Sequence, residues 1–467
     1  MKSLMTGFFR SCIPLATIFL LISCNIDLKP PDENKKQQQD SLVKSKKTTT
    51  DFIDKRSFNT ILQNDGSWRT AKPKSMGFNS ELLKSAVDIA MADGTYTQAI
   101  VIIKNGKLVA ERYRGIADNE KTKLSANFAS TSWSKIYGER DKRDLATSWS
   151  IAKSITGALV AIALNQWPTE FFNDKASDYI TQWNEKSDKR SLITIRDLLN
   201  MRSGLSPFCE SESCEDDSGI VLSKDQLSVC IDREIETKSN SKLPQQNSYW
   251  KTWRYSNCDS ILLGEIIRKA TGYNVKDFAD RNLFSKIDVK ADWWQDNNKN
   301  YLTYCCIDAT PRDFAKFGQL ILNYGRWDGE QVIPRYYIYK IKNIQESPNV
   351  NDGSGYGMQF WTFNAKNNTP IYYAKGYDGQ FIMIDFENDL VVVRSSLYAT
   401  LPPNQLERIL DLPGSPIEQL THRNIQHVNV PISLPGVYMN GVSKDSIDEV
   451  INFDEREFIL NIIEAIE

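Results

Sequence analysis

Ser150 and Lys153 stand one helical turn apart in residues 147–164, TSWSIAKSITGALVAIAL. Residues at this spacing share a helix face, so the hydroxyl and the amine can meet. A serine attacks a carbonyl only when something removes its proton. A lysine can do so if desolvation lowers its pKa from the free value of ~10.4. The apolar run after Lys153 supplies that environment, and a cation buried there is costly without a partner or a task. Ser150 also opens the helix, where N–H groups and the helix dipole converge. The plainer alternative is a capping serine with a snorkelling lysine. Ser-x-x-Lys recurs at Ser41/Lys44, Ser132/Lys135 and Ser239/Lys242, each in polar sequence with no apolar stripe. The chain has two histidines, His422 and His427, and lacks a Gly-x-Ser-x-Gly elbow, so a serine nucleophile here needs a base other than histidine.

A second group lies a hundred residues on, in WRYSNC (residues 253–258). Tyr255 and Asn257 are two apart and would point the same way from an extended loop. A phenol can relay a proton to a leaving group, and an amide can hold an amine in place. Tyr438 and Asn440 repeat the spacing without comparable context.

These groups need a scaffold. Residues 98–115 (QAIVIIKNGKLVAERYRG) read as a β-hairpin turning at Lys104-Asn105-Gly106. Apolar residues at helical spacing predict helices over 193–205, stopped by Ser203-Gly204, over 260–272, and over 312–324. Strand character returns at 356–363, 371–374, 381–385 and 390–395, and 458–466 reads as a closing helix. Sheet-forming sequence therefore flanks a helical middle. The expected fold is α/β of the α+β kind: an antiparallel sheet flanked by helices, built from both ends of the chain, with an inserted all-helical domain.

Taken in order, Ser150-Ile-Ala-Lys153 and Tyr255-Ser-Asn257 resemble the motifs of the class C β-lactamase and penicillin-binding-protein-like serine hydrolases. The branch most similar in look contains 6-aminohexanoate-dimer hydrolases and esterases. The resemblance runs from about residue 75 to 393 and includes ITIRDLLNMRSGL, ATPRDFAKFGQLILNYGRWDGEQVIP and AKGYDGQFIMID. It implies a serine β-lactamase-like fold without a metal or other cofactor. Ser150 would be the acylated nucleophile, Lys153 its base, Tyr255 the proton relay and Asn257 a support for Lys153. The family's third motif, a strand with Lys-Thr-Gly or His-x-Gly, is best matched by Tyr377-Asp378-Gly379 followed by Gln380. Gly379 would then let substrate lie against the strand, and the N–H groups of Gln380 and Ser150 would form the oxyanion hole. Tyr377 departs from the cation often found at the motif's first position. Lys375, two residues earlier and ~6–7 Å away on the same strand face, is either a second source of charge or a solvated edge lysine. This departure favours a neutral or amine-bearing ester or amide over a β-lactam or peptidoglycan substrate, the alternatives within the same mechanism. A non-catalytic binding or sensing lipoprotein is the alternative from another class.

The N-terminus carries an address. Lys2 and Arg10 precede an apolar run at residues 12–23 (CIPLATIFLLIS), too short to span a bilayer. It ends in Leu21-Ile22-Ser23-Cys24, which resembles a bacterial lipobox and implies cleavage before Cys24 and lipid on its sulfur. Residues 24–66 read as the lipidated cysteine and a polar tether, residues 67–467 as the hydrolase domain, and about 160–300 as its helical subdomain. Asn25, in place of the aspartate that some bacteria use for inner-membrane retention, favours the outer membrane. Six further cysteines (Cys209, Cys214, Cys230, Cys258, Cys305 and Cys306) predict at least one disulfide in an exported chain, with Cys209–Cys214 a candidate small loop. None shows the Cys-x-x-Cys spacing of zinc sites. A net charge of −2 gives no electrostatic case for nucleic acid or an anionic membrane surface. The expected partners are a small-molecule ester or amide and, through the lipid alone, a membrane.

Overall fold

A computed structural model describes residues 62–115, 117–123, 139–165, 171–185, 187–206, 220, 223–235, 253–344, 354–365, 368–376, 379–396, 428–429 and 453–467. Cys24 and the tether through residue 61, Cys209, Cys214, both histidines, Tyr377 and Asp378 lie outside these residues.

Asn105 and Gly106 both take positive φ, 51° and 70°, the conformation a two-residue hairpin turn requires. They join β1 (Thr97–Lys104) to β2 (Lys107–Tyr113). The later strands of this sheet are β6 (Gly355–Gly357), β7 (Phe360–Asn364), β8 (Pro370–Gly376), β9 (Gln380–Asp385) and β10 (Leu390–Ser396). The sheet runs β2-β1-β10-β9-β8-β7-β6 with every neighbouring pair antiparallel. The early hairpin thus joins the later strands through the pairing of β1 with β10, Val101 opposite Val393. The expected antiparallel sheet built from both ends of the chain is present, flanked by helices.

One face of the sheet packs on α1 (Ser80–Ala90) and α8 (Glu455–Glu464), burying Leu83, Val87, Phe458 and Ile462 against Ile100, Ile102 and Val392. Asn79 and Asp454 cap these helices through their side chains. The other face packs on α2 (Ile151–Ala163) and α6 (Pro311–Leu322), against Val101, Ile103, Ile382 and Val391. All residues of α2 from Ile151 through Ala161 are buried, Lys153, Ser154 and Thr156 among them.

Three elements differ from the sequence expectation. The helix expected over 193–205 is the short α3 (Ile195–Leu199), opened by a Thr194/Asp197 capping box and ended by Met201 at φ 57°. The helix expected from 260 is α5 (Asn257–Thr271), because the Ser256 hydroxyl accepts from Asp259 N and starts it earlier; Gly272 ends it, as the sequence indicated. The strand expected over 356–363 is the β6–β7 hairpin, turned by Met358 and Gln359 at φ 51° and 63°.

Between α3 and α5 lies α4 (Gln226–Asp232), bound to the first turn of α5 by a Cys230–Cys258 disulfide. Closing a loop whose ends are 28 positions apart contributes ~3–4 kcal/mol in the chain-entropy account, and the bridge fixes the helix end that carries Asn257. The expected disulfide in the helical region is therefore present, between Cys230 and Cys258. Among the described residues no helix is long and apolar enough to cross a membrane.

Candidate active site

A small sheet presents Ser150. Strand β3 (Leu145–Thr147) pairs with β5 (Ile307–Ala309), which pairs with β4 (Asp292–Trp293). Asp308 locks the layers together, accepting from Thr147 Oγ1 at 2.7 Å and Trp294 Nε1 at 2.7 Å. Beyond β3, Ser148 N donates to Ile307 O at 2.8 Å, and Ile307 N donates to Ser148 Oγ at 2.9 Å. Trp149, fully buried, then adopts φ 46°, a left-handed conformation that costs a bulky residue energy and persists where surroundings impose it. This turn sets Ser150 at the N-cap of α2, yet its side chain makes no capping hydrogen bond. The hydroxyl is thus not spent on the helix.

Lys153 is 1% exposed, so it does not snorkel. Its amine donates to Ser150 Oγ at 3.0 Å, Asn257 Oδ1 at 2.5 Å and the carbonyl of Tyr304 at 3.0 Å. The rings of Tyr255 and Tyr304 lie 4.7 Å and 5.3 Å from the nitrogen, within the range where an aromatic face attracts a cation. The capping-and-snorkelling alternative fits neither residue.

Ser150, Lys153, Tyr255 and Asn257 therefore meet. Asn257 reaches the lysine from the first position of α5 rather than from an extended loop, and it is 2% exposed. Convergence with Tyr255 follows from the extended backbone of Ser256 (φ −141°, ψ 123°) leading straight into the helix.

The third motif lies differently from the register read in the sequence. Gly376, at the end of β8, is the glycine that presses on the nucleophile's turn: a Cβ there would sit 2.3 Å from Ser148 O and 3.1 Å from Trp149 Cβ. Gly379, at φ 74°, closes the β8–β9 turn. Gln380 is paired opposite Gly376 in the ladder, and its side chain binds Ser396 through both its amide nitrogen and its oxygen. Lys375 turns away from the site. Ala374 packs with the α2 side and Tyr373 with the α1/α8 side, so Lys375 shares the latter face, where it forms an ion pair with Glu455 of α8. Neither a substrate-binding charge nor a simple solvated lysine describes it.

Sequence reasoning missed Tyr304, whose backbone carbonyl is the contact and which no motif could mark. It also missed the aromatic wall beside Tyr255. Trp361 stacks on Tyr255 with centroids 5.7 Å apart, Tyr356 meets Tyr255 at 5.9 Å, and Trp253 reaches Tyr356 at 5.9 Å and Trp361 at 6.0 Å. Burial, with Tyr255 nearby, pushes the Tyr356 phenol well above its ordinary pKa, so it stays protonated and cannot serve as a base. The density of aromatic residues in WRY and GYGMQFW was the available signal. Among the described residues no group of three or more His, Cys, Asp or Glu is placed to hold a metal ion.

The chain matches the family model described as Beta-lactamase over residues 83–408. A penicillin-binding protein homolog from Caulobacter crescentus is 13% identical, with 70% of this chain and 92% of that one covered and a TM-score of 0.52. The octameric penicillin-binding protein homologue from Pyrococcus abyssi is 15% identical over 74% of this chain and 78% of that one, with a TM-score of 0.50. At these identities the likeness is one of fold. A putative 6-aminohexanoate-dimer hydrolase from Bacillus anthracis is 22% identical over 75% of this chain and 81% of that chain, at a TM-score of 0.47. An uncharacterized protein of Alkalihalophilus pseudofirmus is 23% identical over 186 residues, 33% of this chain and 55% of that relative, so the chain spans about half the relative's length.

Proposed function

The chain belongs to the Beta-lactamase family of serine hydrolases, and on that premise we propose that it hydrolyses a small ester or amide through an acyl-enzyme on Ser150. The observation that carries this reading is Lys153, buried and bound at once to Ser150 Oγ, Asn257 Oδ1 and Tyr304 O. A neutral amine has two N–H donors and one lone pair. With the two donors on Asn257 and Tyr304, the lone pair faces the third neighbour, Ser150 Oγ. Lys153 then takes the serine proton as the oxygen attacks the substrate carbonyl. Tyr255, with its ring beside the amine, passes the proton to the leaving group and later draws one from the incoming water. The carbonyl oxygen, negative in the tetrahedral intermediate, is received by the N–H of Ser150 and the strand end opened by Gly376.

Two features favour a neutral or amine-bearing substrate. Lys375 is committed to Glu455 and brings no cation to the site, and the half-buried rings of Trp361 and Trp253, with Tyr356 buried against both, offer apolar area and aromatic faces beside Tyr255. A fluorophosphonate probe should label Ser150 and leave Ser150→Ala unmarked; an unlabelled wild-type chain would mean a binding protein that keeps only the fold. Rates on short-chain esters, linear amides and a chromogenic cephalosporin then decide the substrate class, and turnover confined to the cephalosporin would overturn the ester or amide reading. Tyr255→Phe keeps the stack on Trp361 and removes the proton relay. Its turnover should fall ~10²–10⁴-fold while Ser150 remains labelled, and unchanged turnover would remove Tyr255 from the mechanism.

We also propose that the mature chain is lipid-anchored through Cys24 at the periplasmic face of the outer membrane, on the support of the lipobox-like Leu21-Ile22-Ser23-Cys24. It should partition into a detergent phase, and Cys24→Ala should leave it soluble or unprocessed. Wild-type protein that stays in the aqueous phase without lipid would refute this.

A further inference from the structure

One six-residue segment holds both the lysine and the turn that carries the nucleophile. Thr303 accepts from Thr156 Oγ1 of α2 at 2.8 Å and donates its own hydroxyl to Ser260 O of α5 at 2.8 Å. The next carbonyl, of Tyr304, accepts from Lys153. Ile307 exchanges two hydrogen bonds with Ser148, and Asp308 receives Thr147. Between the lysine's acceptor and the strap on the nucleophile's turn stand Cys305 and Cys306, joined to each other by a disulfide with their Cα atoms 3.7 Å apart.

A bridge between adjacent residues ties no distant elements together. It closes a loop of the smallest possible length, so it restrains the unfolded chain least of all disulfides, in contrast to Cys230–Cys258. What it restrains is local: the backbone torsions of the two residues that connect Tyr304 to Ile307. Cys306 adopts φ 72°, a region that an L-residue with a side chain leaves readily unless held. Its carbonyl is held in turn by Trp294 N at 3.0 Å. Both cysteines are buried, at 1% and 0% exposure, so a reductant cannot reach the sulfurs in the folded chain and the bridge is a permanent brace rather than a switch.

We propose that the Cys305–Cys306 disulfide is a positioning element for the reaction: it fixes the direction of the Tyr304 carbonyl relative to Ile307 and so holds the Lys153 amine on Ser150. The inference rests on the serine–lysine reading above and adds residues that touch neither substrate nor the reacting atoms. Without the bridge the Tyr304 carbonyl gains freedom and its hold on the amine weakens. Two measurable effects follow. An amine misplaced by a fraction of an ångström lowers the acylation plateau, by roughly ten- to a hundredfold. A weaker acceptor also favours the ammonium less, so the pH at which acylation rises moves downward.

The experiment measures fluorophosphonate acylation of the full chain against pH, beside thermal unfolding, for wild type, Cys305→Ser/Cys306→Ser and Cys305→Ala/Cys306→Gly. The glycine in the last variant accepts the positive φ without a bridge, so that variant folds even if the serine pair does not. The expected result is a lowered plateau and a rise displaced to lower pH, with unfolding within a few degrees of wild type. A wild-type plateau and pH profile in a bridge-free variant would overturn the proposal. So would peptide mapping that finds Cys305 and Cys306 as free thiols in the active wild-type chain. Absence of labelling in the wild type itself would instead reject the serine–lysine reading, and this inference with it.

Discussion

Lys153→Arg should acylate no faster than Lys153→Ala, with both losing nearly all reaction at Ser150. Arginine keeps the charge and much of the length, so a lysine present only to fill a gap or fix a charge would tolerate the change. A base would not, because a guanidinium stays protonated at any working pH and cannot accept the serine proton. Its planar head also cannot address the Ser150, Asn257 and Tyr304 oxygens that surround the single nitrogen at 3.0, 2.5 and 3.0 Å. Alanine removes the base and leaves Asn257 Oδ1, itself buried, without its lysine. The loss should therefore reach the floor set by binding and oxyanion donors alone. Ester turnover and probe labelling of Lys153→Arg, Lys153→Ala and wild type provide the check, with circular dichroism to confirm the fold. Wild-type-like acylation in Lys153→Arg would end the serine–lysine mechanism for this protein.

Gly376→Ala should be nearly as damaging, although it adds one methyl group. That methyl would lie 2.3 Å from Ser148 O, a backbone atom, and Ser148 cannot retreat because its N and Oγ are both bound to Ile307. The strand must move off the nucleophile's turn, widening the place where the oxyanion forms. Overpacking of this kind costs ~1–3 kcal/mol in stability, and loss of oxyanion geometry typically costs ~10²–10³-fold in rate. Gly379→Ala is the control, since the strain of a side chain at φ 74° amounts to about 1–2 kcal/mol and falls on the turn rather than on Ser148. Measured acylation should separate the two variants clearly. If Gly379→Ala lost the reaction and Gly376→Ala kept it, the motif register read from the sequence would be right and the contact at Gly376 irrelevant.

The contrast between these glycines shows what the chain states openly and what it does not. Ser150, Lys153, Tyr255 and Asn257 were legible because each contributes a side chain of the right chemistry in a recognisable order, and the structure brings them together. The hairpin at Asn105-Gly106 was legible because its turn residues suit positive φ. The turn at Met358-Gln359 was hidden because neither residue favours positive φ. It is imposed by distant contacts, with Gln359 bonded to Leu198, Leu199 and Ser260 and Met358 N bonded to Asn200. Tyr304 was hidden for another reason: it acts through a carbonyl that every residue possesses. The third motif was half legible, since the sequence contains two glycines three residues apart and only packing tells which one meets Ser148.

The pairing of β1 with β10 also sets the order of events in folding. Ile102 lies opposite Val392, 290 positions later in the chain. Until the later strand arrives, the buried hairpin strand Thr97–Lys104 has one open edge, a template for wrong partners. Contacts this far apart in sequence slow folding, because the loop between them must be ordered before their pairing repays it. A ribosome has made most of the polypeptide before this pair of strands can close. An unfinished sheet of this kind remains open longest while the chain is being synthesised, and its unpaired edge is where aggregation would begin.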